Sequence, residues 1–179
     1  MKKSLLALMF ISAFVIGNAQ TGKGDWMVGG GFQLNTSDND TRIALSPNAG
    51  LFVISNLAVG GNLLFDYSKN GDNKRTDFGI GPFVRYYFTK ANIRPILQGS
   101  FNFLSSRNKT PLSSNTENGT SYFLGGGIAA FISDQVSIDG VLGYSHSKYE
   151  DFDGSGGFAM TIGFQVYILK RQMDRVRGK

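Results

Sequence analysis

The segment from Phe78 to Phe88 reads FGIGPFVRYYF and alternates between two sets of residues along its whole length. One set is bulky and apolar: Phe78, Ile80, Pro82, Val84, Tyr86 and Phe88. The other set is mixed: Gly79, Gly81, Phe83, Arg85 and Tyr87. A period of two residues predicts a β-strand with two unlike faces. The segment 157–168, GFAMTIGFQVYI, repeats the pattern, so strands of this kind decide the fold.

The same alternation recurs through the chain and predicts eight strands. Their expected ranges are 26–35, 42–54, 57–67, 77–88, 93–104, 121–132, 136–147 and 157–168. Strands of about 10–12 residues have the length needed to cross a bilayer at a tilt. The sequence therefore predicts an all-β protein, an eight-stranded antiparallel up-and-down transmembrane β-barrel in an outer membrane.

The connections between the predicted strands alternate between short and long. Tight turns are expected at 55–56, 89–92 and 133–135, and longer polar loops at 36–41, 68–76, 105–120 and 148–156. All tight turns then lie at one end of the barrel and all long loops at the other. In barrels of this kind the turns face the periplasm and the loops face outward. We expect the four loops to bind any extracellular ligand. The other expected partners are the lipids of the outer membrane, and the expected oligomeric state is a monomer.

The N-terminus has the features of an export sequence. Two lysines precede an apolar run from Leu5 to Gly17, and Gly17 and Ala19 supply the small residues before a cut after Ala19. The predicted organisation is a signal peptide at 1–19, a barrel at 20–168 and a short basic periplasmic tail at 169–179. The absence of cysteine rules out disulfides.

The net charge of +5 does not indicate a nucleic-acid partner. Lys2 and Lys3 leave with the signal peptide, and the tail carries a net +4, so the predicted barrel is close to neutral. A nucleic-acid-binding protein would show a basic stripe with interleaved aromatic residues on its folded body. The predicted barrel has none.

A soluble eight-stranded barrel of the lipocalin type is the structural alternative, because it shows the same alternation after a signal peptide. Aromatic residues at the strand ends favour the membrane barrel, since girdles form where an outer face meets lipid. They are Trp26, Tyr86 and Phe88 on the turn side, and Tyr67, Phe103, Tyr122, Tyr144 and Phe158 on the loop side. Pro47, Pro82 and Pro95 lie inside predicted strands, where we expect bulges or a local loss of pairing.

Two hairpins share a faint internal repeat, in which Phe52–Val59 aligns without gaps on Phe131–Ile138. The segments PNAGLFVISNLAVGG from Pro47, GPFVRYYF from Gly81 and GGGIAAFISDQVSIDGVLGY from Gly125 resemble small outer-membrane barrels of the OmpA/OmpX-like type. This resemblance implies an eight-stranded barrel in the outer membrane of a Gram-negative bacterium. The chain departs from the full OmpA arrangement because its 11-residue tail is too short for a peptidoglycan-binding domain.

His146 is the single histidine and the candidate for a lipid A deacylase-like activity. Such a site needs a serine within reach of the histidine. By parity His146 faces outward with Tyr144, whereas Ser145 and Ser147 face the lumen. We therefore expect an interfacial histidine and no catalytic residue. No metal or cofactor site is expected, because Asp151–Gly156 lacks the final ligand of a calcium loop and the glycine runs do not lead into helices.

Three ionisable residues have inward parity near the turn end: Arg85, Arg94 and Asp139. An unpaired charge in a narrow lumen is costly, so each needs a partner. We expect Asp139 to pair with Arg85 or Arg94 and form an ionic plug. The predicted function is a non-enzymatic structural or surface-interaction role carried by the loops. The alternatives are a lipid A-modifying enzyme that uses His146, or a narrow pore.

Overall fold

The computed structural model describes residues 21–36, 40–110, 113–150 and 153–170. Eight strands close into an antiparallel barrel in which each strand pairs with its sequence neighbours and β1 pairs with β8. Their bounds are β1 Trp26–Thr36, β2 Asp40–Ile54, β3 Leu57–Asn70, β4 Asn73–Tyr87, β5 Ile93–Thr110, β6 Ser113–Ser133, β7 Val136–Tyr149 and β8 Ser155–Ile168. The predicted up-and-down barrel is confirmed. Within these residues no helix has the length and hydropathy needed to cross a membrane.

The two faces of each strand separate as the alternation predicts. On β4, Ile80 and Val84 point outward and are 53% and 43% exposed, whereas Phe83 and Arg85 are buried in the lumen. On β8, Phe158 and Met160 are 83% and 66% exposed. An apolar outer surface that continues around the barrel would be unstable in water, because soluble monomers expose only small apolar patches. The surface therefore matches a transmembrane barrel and disfavours the lipocalin alternative.

Pro47 and Pro82 each interrupt one ladder locally without shifting its register. The expected loss of pairing does not occur in the β5–β6 ladder, which continues through Pro95 and its partner Ile128. The β2–β3 ladder breaks between Leu45 and Asn48, around Pro47, and resumes in the same register. The β4–β5 ladder breaks between Ile80 and Phe83, around Pro82. Since proline has no N–H to donate, each break loses pairing on one side of the strand.

The predicted loops were wrong in extent, because most of their residues continue the strands. β3 and β4 meet at the two-residue turn Gly71–Asp72, inside the range 68–76. In the range 105–120, β5 runs to Thr110 and β6 begins at Ser113. In the ranges 36–41 and 148–156 the strands likewise include the residues at both ends of each range. Both faces of these extensions are polar, so the alternation that marks a strand is lost although the backbone pairing persists.

The internal repeat corresponds to two copies of one bulged hairpin. Phe52 pairs with Ala58 and Ile54 with Leu57, and the register shifts between them. At the aligned positions, Phe131 pairs with Ser137 and Ser133 with Val136, with the same shift. A bulge of this kind increases the local twist of the strands. The repeated sequence therefore encodes the same tight turn at the same end of the barrel, which we call the turn end.

Residues 21–25 fold against the turn end. Thr21 is 4% exposed, and its carbonyl oxygen accepts a hydrogen bond of 2.9 Å from the Asn56 N–H. After β8, Leu169 is 4% exposed and Lys170 N–H donates to Asp25 Oδ1 at 2.9 Å. The predicted signal peptide at 1–19 and most of the predicted tail at 169–179 lie outside the described residues.

The β1–β8 ladder is the shortest in the barrel. It joins six residue pairs, from Trp26 with Ile168 to Gly31 with Gly163, whereas the β5–β6 ladder joins 18. Both strands continue beyond the last pair, β1 to Thr36 and β8 back to Ser155, yet no described ladder pair joins these upper parts. This upper β1–β8 seam lies at the opposite end of the barrel, which we call the loop end.

Candidate functional site

The turn-end half of the lumen is filled by packed side chains. The core cluster consists of Met27, Phe52, Ala58, Phe83, Tyr87, Ile96, Ala129, Val141 and Tyr167. An eight-stranded barrel is just wide enough for side chains to fill its interior. Glycines allow the strands to approach closely around this core: a Cβ on Gly127 would overlap the carbonyl oxygen of Gly140.

A buried ion pair lies directly above this core. Arg85 Nη1 donates to Asp139 Oδ2 at 2.5 Å, and the two side chains are only 5% and 3% exposed. Arg85 Nε also donates to Gln98 Oε1 at 2.8 Å, across the β4–β5 ladder. A buried pair of this kind is stable only when additional hydrogen bonds satisfy its remaining atoms.

Hydroxyl groups supply those additional bonds. Ser137 Oγ donates to Asp139 Oδ1 at 2.6 Å and lies 3.1 Å from the Tyr167 hydroxyl. The Tyr167 hydroxyl lies 2.9 Å from that of Tyr87, which in turn accepts a bond of 3.4 Å from Arg85 Nη1. The five groups form a closed ring of hydrogen bonds across the lumen. Together they separate the packed half of the lumen from the half above it.

Arg94 lies at the turn end and contacts different groups. Its side chain is 0% exposed, and its Nε donates to the Ala91 carbonyl oxygen at 2.8 Å. Nη1 donates to Thr21 Oγ1 at 3.0 Å, and the guanidinium lies 4.2 Å from the centre of the Phe131 ring. Arg94 therefore joins residues 21–25 to the turn after β4. Of the three predicted plug residues, the structure brings Arg85 and Asp139 together as an ion pair.

The loop-end half of the lumen contains a cavity of about 550 Å³. Arg85, Asp139 and Gln165 lie at its base, and its walls carry amide and hydroxyl side chains. Asn62 Nδ2, for example, donates to Asn102 Oδ1 across the lumen at 2.7 Å. Apolar side chains such as Leu64 and Phe123 line it as well, so the cavity has a mixed lining.

Charged pairs surround the mouth of the cavity. Arg42 and Asp66 form an ion pair of 2.5 Å, and Arg75 and Asp77 form one of 2.9 Å. The Arg75 guanidinium also lies 5.2 Å from the ring centre of Tyr149, which belongs to β7. The contact joins β4 to β7 and narrows the mouth.

His146 lies on the outer face of the barrel, where its ring stacks on Tyr122 at 5.2 Å between centres. Ser145 and Ser147 line the lumen cavity. The histidine and the two serines therefore lie on opposite sides of β7, as the strand parity predicts. Their arrangement provides no serine–histidine pair for acyl transfer.

No group of three or more potential metal ligands occurs among the described residues. The first two residues of the acidic segment 151–156 lie outside them.

Sequence reasoning missed the groups that complete the Arg85–Asp139 site. Gln98 is the direct ladder partner of Arg85, so its polar side chain at an inward position could have identified it. Tyr167 and Ser137 share that inward parity. The ion pairs at the mouth were missed because Asp66 and the 75–77 segment were interpreted as loop or strand-end residues.

Comparisons with known proteins agree on the fold. No family model and no curated protein matches the chain. Among solved structures, Neisserial surface protein A superposes with a TM-score of 0.60 at 15% identity, covering 79% of this chain and 94% of that chain. The Yersinia pestis attachment invasion locus protein Ail gives 0.53 at 13% identity, over 82% of this chain and 99% of that chain.

The outer membrane protein OprG of Pseudomonas aeruginosa gives a TM-score of 0.54 at 11% identity, covering 85% of this chain and 99% of that chain. Identities this low establish similarity of fold alone. The chain therefore has the fold of the small eight-stranded outer-membrane β-barrels.

Proposed function

We propose that this chain is an integral outer-membrane protein that acts without catalysis, by presenting its loop-end hairpins outside the cell. The observation that carries the proposal is the length of the β5–β6 hairpin, whose ladder continues to Thr110 and Ser113. The outward aromatic residue Phe103 marks the upper edge of the apolar surface. Seven further residues extend the paired strands by about 23 Å beyond it.

The extended hairpin is suited to recognition because it is ordered before a partner binds. Backbone pairing persists through segments whose side chains are serine, asparagine, threonine and lysine. Ordering a flexible loop on binding opposes affinity, and a preformed surface reduces this cost. Together with the apolar outer surface, this supports a display role for the polar loop end.

The enzymatic alternative has less support. His146 stacks on Tyr122, and the neighbouring serines line the lumen on the other side of the strand. A narrow pore is also disfavoured, because the Arg85–Asp139 pair and the packed core fill the lumen below the cavity. We propose that this ion pair acts as a plug.

Location and orientation provide the first test. Expressed in a Gram-negative host, the protein should fractionate with outer membranes and resist extraction by high salt. An epitope inserted between Gly71 and Asp72 should be labelled on intact cells. Recovery in the soluble periplasm would instead support a lipocalin-like protein, and an epitope labelled only in lysed cells would reverse the orientation.

A shortened hairpin provides the functional test. Deletion of 106–110 together with 113–117 should abolish adhesion of expressing cells to immobilised glycans and matrix proteins, while heat-modifiable migration on gels is retained. A control variant of full length, His146→Ala, should adhere normally and leave the lipid A acyl pattern unchanged by mass spectrometry. Unaltered adhesion in the shortened variant, or a lost deacylation product in His146→Ala, would contradict the proposal.

A further inference from the structure

Three lysines form a continuous row across the outer face of the loop end. Lys69 on β3 is the direct ladder partner of Lys74 on β4, and Lys74 is the direct ladder partner of Lys109 on β5. Arg107 lies two residues from Lys109, on the same face of β5. All four side chains are exposed, and we call them the basic row.

The row faces sideways from the barrel, beyond the apolar surface and near the ends of the hairpins. By strand parity its lysines share a face with the outward residues Phe65 and Phe78, which are 39% and 48% exposed. Lys74 lies four positions from Phe78, a distance of about 13 Å along the strand. Long lysine side chains at this height reach the headgroup region of the leaflet beside them.

The row has no anionic partner in the described part of the protein. Like charges on directly opposed strand residues are destabilising. The carboxylates of Asp66 and Asp77 belong to the same strands, but they form ion pairs with Arg42 and Arg75 at the mouth of the lumen. Asp72 lies in the turn above and forms no ion pair with the row among the described residues.

We propose that the basic row binds the phosphate groups of the phosphorylated glycolipid in the surrounding outer leaflet. The inference rests on the proposed function, because it requires the loop end to lie in that leaflet. Basic clusters next to an apolar span attract anionic headgroups. A membrane lipid fits this surface better than a soluble polyanion, because the side chains point into the plane of the leaflet and not toward the hairpin tip.

The test uses the refolded mature protein in phosphatidylcholine vesicles that contain diphosphoryl lipid A, dephosphorylated lipid A, or neither. The variant is Lys69→Gln/Lys74→Gln/Lys109→Gln, and the matched control is Lys23→Gln/Lys90→Gln at the turn end. Lipid A retained by the protein after detergent exchange is measured by mass spectrometry. Each lysine removed should weaken the retention of diphosphoryl lipid A about fivefold. The triple variant should therefore retain it on the order of a hundredfold less. The control should equal the wild type.

A sign reversal provides a second readout. In vesicles without lipid A, Lys74→Gln should raise the urea midpoint of unfolding, since it removes the repulsion of Lys74 with its two ladder partners, Lys69 and Lys109. In vesicles with diphosphoryl lipid A it should lower that midpoint. Equal retention by the triple variant, retention independent of the lipid phosphates, or preferential binding of soluble heparin would each overturn the inference.

These outcomes are separable from failure of the proposed function. If the epitope at Gly71–Asp72 is accessible on intact cells but lipid A retention is unchanged in the variant, the inference alone fails. If the epitope is inaccessible on intact cells, the proposed orientation fails, whatever lipid A retention is measured in the vesicles.

Discussion

The two halves of the barrel lumen differ in how they are filled. The turn-end half contains a packed core, the Arg85–Asp139 pair and all six described residue pairs of the β1–β8 ladder. The loop-end half contains an open cavity of about 550 Å³ with a mixed polar and apolar lining. It also contains partly exposed ion pairs at the mouth and the upper β1–β8 seam, where no described ladder pair forms. Buried side chains are therefore concentrated in the turn-end half, and exposed polar side chains in the loop-end half.

The contrast is visible even between direct neighbours. Val141 on β7 and Thr161 on β8 are ladder partners and both have inward parity, yet Val141 is 6% exposed whereas Thr161 is exposed. The difference arises because β7 has a paired strand on each side, while β8 has lost β1 above Gly163. We infer that stability depends chiefly on the turn-end half, and substitutions that compare the halves test this.

The largest effect is expected for the buried ion pair. Asp139→Ala leaves the Arg85 guanidinium buried without its carboxylate, which should lower the free energy of unfolding by about 3–5 kcal/mol. The matched change at the mouth, Asp66→Ala, removes the partner of the exposed Arg42 guanidinium and should cost at most about 1 kcal/mol. Urea unfolding in lipid vesicles measures both values.

Planar-bilayer recordings of the same two variants test the proposed plug. Conductance should rise for Asp139→Ala and stay at the wild-type level for Asp66→Ala. Equal and small effects on both stability and conductance would show that Asp139 is solvated, and the plug would be abandoned.

A smaller effect is expected from glycine substitutions in the two halves. In Gly127→Ala the new Cβ overlaps the backbone of Gly140, so the strands must separate, at a cost of about 1–3 kcal/mol. A Cβ added to Gly157, on the upper part of β8, would meet no atom within 4 Å, so Gly157→Ala should be close to neutral. Urea unfolding in lipid vesicles again provides the measurement. Comparable losses in both variants would mean that the loop-end half is packed as tightly as the core.

The sequence predicts most of this fold because strand parity is a local property. The outward row on β4 and the inward positions of Arg85 and Asp139 follow from alternation alone. The choice between Arg85 and Arg94 as the partner of Asp139 did not follow, because it depends on which strands lie across the lumen and on Thr21 and Phe131 near Arg94.

The loop end was harder to predict for a physical reason. Beyond the apolar surface both faces of a hairpin meet polar surroundings, so backbone hydrogen bonds alone maintain the strand. Residues such as Asn108 and Thr116 then resemble loop residues, although their backbones are paired. The seam was also hidden, since the periodicity of β1 and β8 does not reveal where their mutual ladder ends.

The smallest expected effect on stability comes from paired cysteines along the β1–β8 seam, which the cysteine-free chain allows. Val28 and Val166 are ladder partners, so Val28→Cys/Val166→Cys should form a disulfide readily, within the usual Cα separation of about 4.4–6.8 Å. The same register continued upward would set Leu34 opposite Met160, where no described ladder pair forms. Leu34→Cys/Met160→Cys should therefore remain reduced under the same oxidant, with little change in the urea midpoint. The fraction oxidised is measured by the mobility of thiol-alkylated protein on gels. Equal oxidation of both pairs would show that the seam closes in the membrane, and the contrast between the two halves would then be confined to side-chain packing.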